Sequence, residues 1–142
     1  MMQKDLFNDI EVRACLASIT GGTGDTAFVG AIIDHSGFES LVYAINLGTM
    51  TDADVTFVVL VEHGDASNLS DAAAVPDEFL LGTELGAGFR FDDDGETRKI
   101  GYKGGKRYSR VTITPTGNTG NIPIGIVAIL GHPRKAPITS QG

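Results

Sequence analysis

Residue types able to do chemistry are present in this chain, but their spacing does not assemble them. Asp34-His35-Ser36 sets a carboxylate, an imidazole and a hydroxyl side by side. A nucleophilic triad needs such groups to converge from separate parts of a chain, and neighbours on a turn point in different directions. There is no GxSxG elbow. His63 and His132, like His35, lack a second His or Cys at the short spacing of a zinc site, so all three read as surface turn histidines. Asp92-Asp93-Asp94-Gly95-Glu96 has the composition of a calcium loop. Contiguous acids send alternate side chains apart, however, whereas an EF-hand spreads its ligands over about twelve residues. The stretch reads as a solvated Asp-Gly hairpin turn.

Two further features carry a bland reading. Thr20-Gly21-Gly22-Thr23-Gly24-Asp25 follows an apolar alternation but has neither the Lys-Ser/Thr of a P-loop nor the GxGxxG spacing, and reads as a turn. Cys15, the single cysteine, has no base or CxxC partner beside it and reads as a small buried side chain. No carboxylate spacing picks out an acid–base pair. The sequence therefore nominates no catalytic, cofactor-binding or metal-ligating residue, and the expected class is not an enzyme.

Charge narrows the partners. The formal net charge is −7, which argues against a nucleic-acid partner by bulk electrostatics. The distribution is lopsided: residues 1–96 carry all 18 acids against Lys4, Arg13 and Arg90, while residues 97–142 carry eight cations and no acid. Basic strands pairing beside acidic ones would settle this polarity inside the fold. Arg98, Lys99, Lys103, Lys106, Arg107 and Arg110, interleaved with Tyr102 and Tyr108, otherwise form a patch suited to an acidic protein surface. No run of about 18 apolar residues occurs, so no membrane span is expected. The first twelve residues contain acids and no apolar h-region, so that end does not read as a signal peptide.

The elements that would position these residues are short strands. Residues 10–19 alternate, with Ile10, Val12, Ala14 and Leu16 predicted on the buried face and Glu11 and Arg13 opposite. Residues 27–33 are strand-like, and residues 38–47 place Leu41, Tyr43, Ile45 and Leu47 on one face. VTFVVLV (55–61) and the stretch 124–130 are apolar throughout, the pattern of strands covered on both faces. Residues 66–76 read as a loop or a single helical turn, residues 79–81 and 89–91 as short strands. Residues 97–102 and 110–114 read as the two arms of a hairpin closed by Gly104-Gly105, two residues tolerant of positive φ. Eight or nine short strands with turn signals about every ten residues, in 142 residues, predict one all-β domain, a jelly-roll-like β-sandwich. Residues 1–9 are expected to form an N-terminal arm. Residues 132–142, with Pro133 and Pro137, are expected to form an extended C-terminal tail.

Three segments resemble a family of small tailed-bacteriophage proteins encoded near the major capsid protein. They are TAFVGAIIDHSGFESLVYAINLG (26–48), VTFVVLVEHGDASNLSDAAAVPDEFLLGTE (55–84) and IGYKGGKRYSRVTITPTGNTGNIPIGIVAILGHPRKAP (100–137). The resemblance implies a capsid cement (decoration) protein, a jelly-roll-like sandwich seated on the outside of an HK97-type icosahedral shell. It also implies the major capsid protein and further copies of the chain as partners, in a homodimer or homotrimer. The protein would be assembled in the host cytoplasm and end in the virion. It carries over no binding residue. The alternative in a different class is a carbohydrate- or host-surface-binding sandwich of a phage tail or fibre, disfavoured by three tyrosines and no tryptophan.

Overall fold

The computed structural model describes residues 4–19 and 24–138, with backbone alone at residues 18 and 19. Its strands form two facing antiparallel sheets. In chain order they are β1 (Ile10–Ile19), β2 (Phe28–Val29), β3 (Ile33–Asp34), β4 (Phe38–Leu47), β5 (Thr56–Gly64), β6 (Ala73–Ala74), β7 (Leu80–Leu81), β8 (Phe89–Arg90), β9 (Thr97–Tyr102), β10 (Tyr108–Thr116) and β11 (Ile124–Pro133). One four-residue helix, α1 (Glu84–Ala87), precedes β8, and the Thr83 hydroxyl caps it by accepting the Gly86 N–H at 2.9 Å.

One sheet has the order β1-β11-β4-β9-β7. The other runs β2-β10-β5-β6, with β3 also on β10 and β8 on β5. Taking β2 and β3 as one interrupted strand and setting aside the two-residue β7 and β8 leaves eight strands. These run first-eighth-third-sixth in one sheet and second-seventh-fourth-fifth in the other. Every connection except β5 to β6 then crosses from sheet to sheet, which is the double Greek key of a jelly roll. The sandwich expected from the sequence is the fold observed.

Between the sheets lies a dry core. Tyr43 and Ile45 of β4, Val59 and Val61 of β5, Ile100 of β9, Val111 and Ile113 of β10, and Ile126 and Leu130 of β11 are all nearly fully buried. They come from alternate positions, the period a pleated strand imposes.

Several local expectations are corrected. Gly104-Gly105 closes no hairpin: β9 pairs with β4 and β7, while β10 pairs with β5, β2 and β3, so this loop carries the chain across the sandwich. Nor do these glycines adopt positive φ. Gly104 is required for space, since a Cβ there would lie 2.5 Å from the Tyr102 hydroxyl oxygen. The Asp92–Asp94 turn likewise joins β8 of one sheet to β9 of the other. Alternation identifies a strand, and says nothing of its partner.

Facing is inverted along part of β1. Val12 and Ala14 point outward, while Glu11 and Arg13 turn toward the sandwich margin as an ion pair at 3.1 Å. Arg13 also donates to the Asp34 carbonyl at 2.7 Å and lies over the Phe38 ring. A bulge then gives β1 two residues against one of β11 between Ala14 and Leu16, so Cys15 is buried and Leu16 packs on the core. Neither β5 nor β11 is covered on both faces, as Val58 is 61 % exposed and Val127 is 38 % exposed.

The segment after β11 is tied to the β3–β4 turn and to the N-terminal segment. Arg134 N–H donates to the Gly37 carbonyl at 2.9 Å, and Ile138 N–H to that of Asn8 at 2.8 Å.

Candidate functional site

At one end of the sandwich, β4, β5, β9 and β10 bring together the groups that sequence spacing had left scattered. Ser109 is fully buried, with its hydroxyl 2.6 Å from His35 Nε2 and 2.6 Å from the Tyr43 hydroxyl. Beside it His63 Nδ1 lies 2.9 Å from the Tyr102 hydroxyl, which also accepts the Lys106 N–H at 3.1 Å. The Tyr102 ring packs against both imidazoles, at 4.9 Å from His35 and 5.6 Å from His63. His63 is therefore buried and His35 half-buried, a correction to the surface reading. Exposed His132 alone fits that reading, with Nδ1 2.8 Å from the Ser40 hydroxyl. No spacing signal could have found this network, because Ser109 is 74 residues from His35 and 66 from Tyr43.

A Ser–His pair at 2.6 Å invites a catalytic reading, and the geometry argues against it. The Ser109 hydroxyl has no exposure, and its second partner is a tyrosine. The imidazole leans on the Lys106 backbone, where a triad would place a carboxylate. Burial lowers the His35 pKa to about 4, so the ring is neutral at pH 7. What the network does is satisfy buried polar atoms across the gap between sheets, where an unpaired one costs about 1–3 kcal/mol. A polar cleft of about 330 Å³ lies outside it, walled by His35, Tyr102, Lys106 and Arg107. The cations there are engaged: Arg107 grips Asp34 through two bonds of 3.0 Å, and Lys106 meets Asp65 at 2.7 Å. The Arg107 guanidinium holds the Asp34 carboxyl below its usual pKa.

That pairing is general. Arg98 binds Asp93 and Glu96, Arg110 binds Glu62 directly opposite it on β5, and Arg134 binds Glu39. The basic last third of the chain is thus matched to the acidic first two-thirds inside the fold. Of the basic run, Lys99 and Lys103 make no ion pair with a described residue.

At the opposite end the connecting loops are laced together. Asp52 is 8 % exposed and accepts four bonds, from the N–H groups of Asp54 and Val55 and from the N–H and hydroxyl of Thr119. Those bonds hold its carboxyl far below the usual range. The Asp92–Asp94 acids are also committed: Asp92 to Arg90, Asp93 to the Arg90 N–H and Arg98, Asp94 to the Met50 N–H. Among the described residues no three His, Cys, Asp or Glu side chains cluster as a metal site would need.

The surface least explained by the chain itself is the outer face of the β1-β11-β4-β9-β7 sheet. Register aligns Val12, Ile129 and Val42 in one row and Ala14, Val127 and Ala44 in the next. The first row continues over Gly101 to Leu81, and a Cβ on Gly101 would meet Leu81 at 2.9 Å. The second row ends at Lys99. Val12, Val127 and Leu81 are 36 %, 38 % and 54 % exposed. The other sheet's outer face is mixed, with the Arg110–Glu62 pair and Thr114 beside Val58. The apolar runs that predicted double coverage are thus real in β11, but among the described residues only one face is covered.

No protein-family model matches the sequence, and no curated protein sequence does. Solved structures do match in fold. One is a chain from the structure of infectious bursal disease virus, Gx strain, with TM-score 0.56 and 9 % identity over 90 % of this chain. This chain spans only about a third of that polypeptide's length, 33 %. Another is the SPBc2 prophage-derived protein YomS, with TM-score 0.44 and 12 % identity, covering 86 % of this chain and 92 % of that one. At 9 % identity the first likeness is one of fold alone.

Proposed function

We propose that this chain is a structural protein of a virus particle, a cement protein that binds the outside of an icosahedral tailed-phage capsid and holds capsomer junctions. The observation that carries the reading is the strand order. A double Greek key across two sheets is an architecture used in viral capsid and lectin domains. The likeness to a chain of infectious bursal disease virus supports that use of the fold. The sequence resemblance to proteins encoded beside the phage major capsid gene supports the narrower role. A cement protein needs no reactive group; it stabilises the shell by binding the assembled state in preference to free subunits. The chemistry described above suits that role, since the serine of the His35–Ser109 pair is fully buried.

The test is quantitative mass spectrometry of purified particles of the source phage, with binding of the protein to empty capsids. A copy number comparable to the major capsid protein, and saturable binding to shells, is the expected result. A handful of copies would move the protein to a tail or fibre as a surface-binding module. Absence from the particle overturns the reading.

A further inference from the structure

We propose that the polar cleft between the start of β4 and the loop 103–107 is a binding site for a single sugar ring, held through neighbouring hydroxyls. Two complete ion pairs stand in its walls, Lys106 with Asp65 at 2.7 Å and Arg134 with Glu39. Its floor is fixed from below: His35 is bonded to buried Ser109, and the Tyr102 hydroxyl to His63 and the Lys106 N–H.

Size is the first argument. The cleft holds about 330 Å³, at the small end of the range for small-molecule sites, so it suits one ring and not an extended chain. Part of its rim is bare backbone. Gly105 lines it, and a Cβ there would meet nothing within 4 Å, so the mouth stands open.

Chemistry is the second. Each cation on the cleft, Lys106, Arg107 and Arg134, already has a carboxylate beside it, so an anion would have to break a pair to bind. Hydrogen-bonding capacity is not used up, however. Among the described residues the Lys106 ammonium bonds only Asp65, and the Arg134 side chain bonds only Glu39 through Nε. Both terminal nitrogens of Arg134 and two N–H groups of Lys106 are left to donate, while Asp65 Oδ1 and Glu39 Oε2 are left to accept. Both pairs are exposed, so these groups face water. An open donor beside an open acceptor complements two adjacent ring hydroxyls. One hydroxyl donates to the carboxylate and its neighbour accepts from the ammonium or guanidinium. Hydrogen bonds with one charged partner are about twice as strong as neutral ones. A ring gripped at its edges in this way needs no tryptophan platform.

Backbone-amide shift mapping by NMR tests this on the full chain. Glucose, galactose, mannose and N-acetylglucosamine are titrated separately to about 50 mM, with inorganic phosphate as the charged control. At least one sugar is expected to move the amides of Ser36, Gly105 and Lys106 with a dissociation constant of about 1 mM, and to leave those of Val58 and Val127 in place. Phosphate is expected to bind more weakly. Arg134→Ala and Asp65→Ala, both at exposed positions, are expected to raise that constant about tenfold. Lys99→Ala, which removes an exposed cation outside the cleft, is expected to leave it unchanged. Mapping on the wild type needs no variant to fold. No shift with any of the four sugars, shifts confined to the outer sheet faces, or an affinity indifferent to both cleft variants overturns the proposal. Tighter binding of phosphate than of any sugar also overturns it and assigns the cleft to an anion. The inference does not rest on the virion reading, because the titration and the particle copy number are separate readouts.

Discussion

His35 Nε2 and the Ser109 hydroxyl meet at 2.6 Å in the interior, one from the turn between β3 and β4, the other from β10. His35 follows β3, which pairs with β10 in the same sheet, and the Ser109 hydroxyl in turn reaches Tyr43 of the other sheet. The His35 ring makes stability depend on pH. Burial lowers the His35 pKa from 6.5 to about 4, with the nearby Arg13 and His63 acting in the same direction and Asp34 against it. The unfolded chain therefore takes up a proton near pH 6.5 that the folded chain refuses until about pH 4. Stability is complete above that window and falls through it as the pH drops. The loss is about 3 kcal/mol. His63, also lowered by burial, adds in the same sense. Depressed carboxylates such as Asp34 and Asp52 act below the usual carboxylate value of 3.8. Urea midpoints at pH 7 and pH 4.5 measure the slope, and His35→Gln should flatten most of it. An unchanged slope in that variant would show that another group titrates.

Asp52 holds the far end of the sandwich, since its carboxylate takes the Thr119 N–H at 2.6 Å and hydroxyl at 2.7 Å while binding two amides of its own loop. Asp52→Ala leaves those donors unpaired, and the melting temperature is expected to fall by about 5 °C or more. Amide exchange should quicken at Thr119 and Val55 while the amides of β4 and β11 stay protected. A Tm within about a degree of wild type contradicts the role.

Adjacent glycines 104 and 105 should respond differently to the same change. Gly104→Ala drives a methyl into the Tyr102 hydroxyl, at 2.5 Å before relaxation, and breaks its bonds to His63 and Lys106. A loss of about 1–3 kcal/mol is expected. A Cβ on Gly105 meets nothing within 4 Å, so Gly105→Ala should stay within about 0.5 kcal/mol of wild type. Equal effects in chemical denaturation would refute the packing account.

The Cys15 thiol should be inert in the native protein. It is 5 % exposed, burial raises its pKa to about 11, and Gly30 packs so closely that a Cβ there would sit 2.6 Å from its sulfur. A thiol reagent at pH 8 is expected to label the chain only as fast as it unfolds, and at the full rate in denaturant. Prompt labelling of the native protein would place the sulfur at the surface.

How much of this was written in the chain can be argued strand by strand. In β4, Leu41, Tyr43, Ile45 and Leu47 take the buried face that their alternation predicts, and the bounds of β1 and β9 match their patterns. The lopsided charge also announced its own settlement, as Arg110 opposite Glu62 shows. These are short-range facts: a pleated backbone has period two, and apolar side chains avoid water wherever the strand goes.

Partners, facing and convergence were decided elsewhere. Gly104-Gly105 looks like a hairpin turn because a turn's sequence constrains a few dihedrals and not the sheet in which the next strand docks. Val12 and Ala14 face outward because a bulge at Cys15 and the Glu11–Arg13 pair at the sandwich margin outweigh their own hydrophobicity. Ser109, His35 and Tyr43 are ordinary residues in the sequence and one buried network in the molecule, since only closure of the double Greek key brings β4, β10 and the β3–β4 turn within hydrogen-bonding distance. By itself the sequence determined that the chain would be an all-β sandwich. Tertiary structure decided which apolar face was left uncovered, because burial is a property of the neighbours that a residue acquires when the two sheets close.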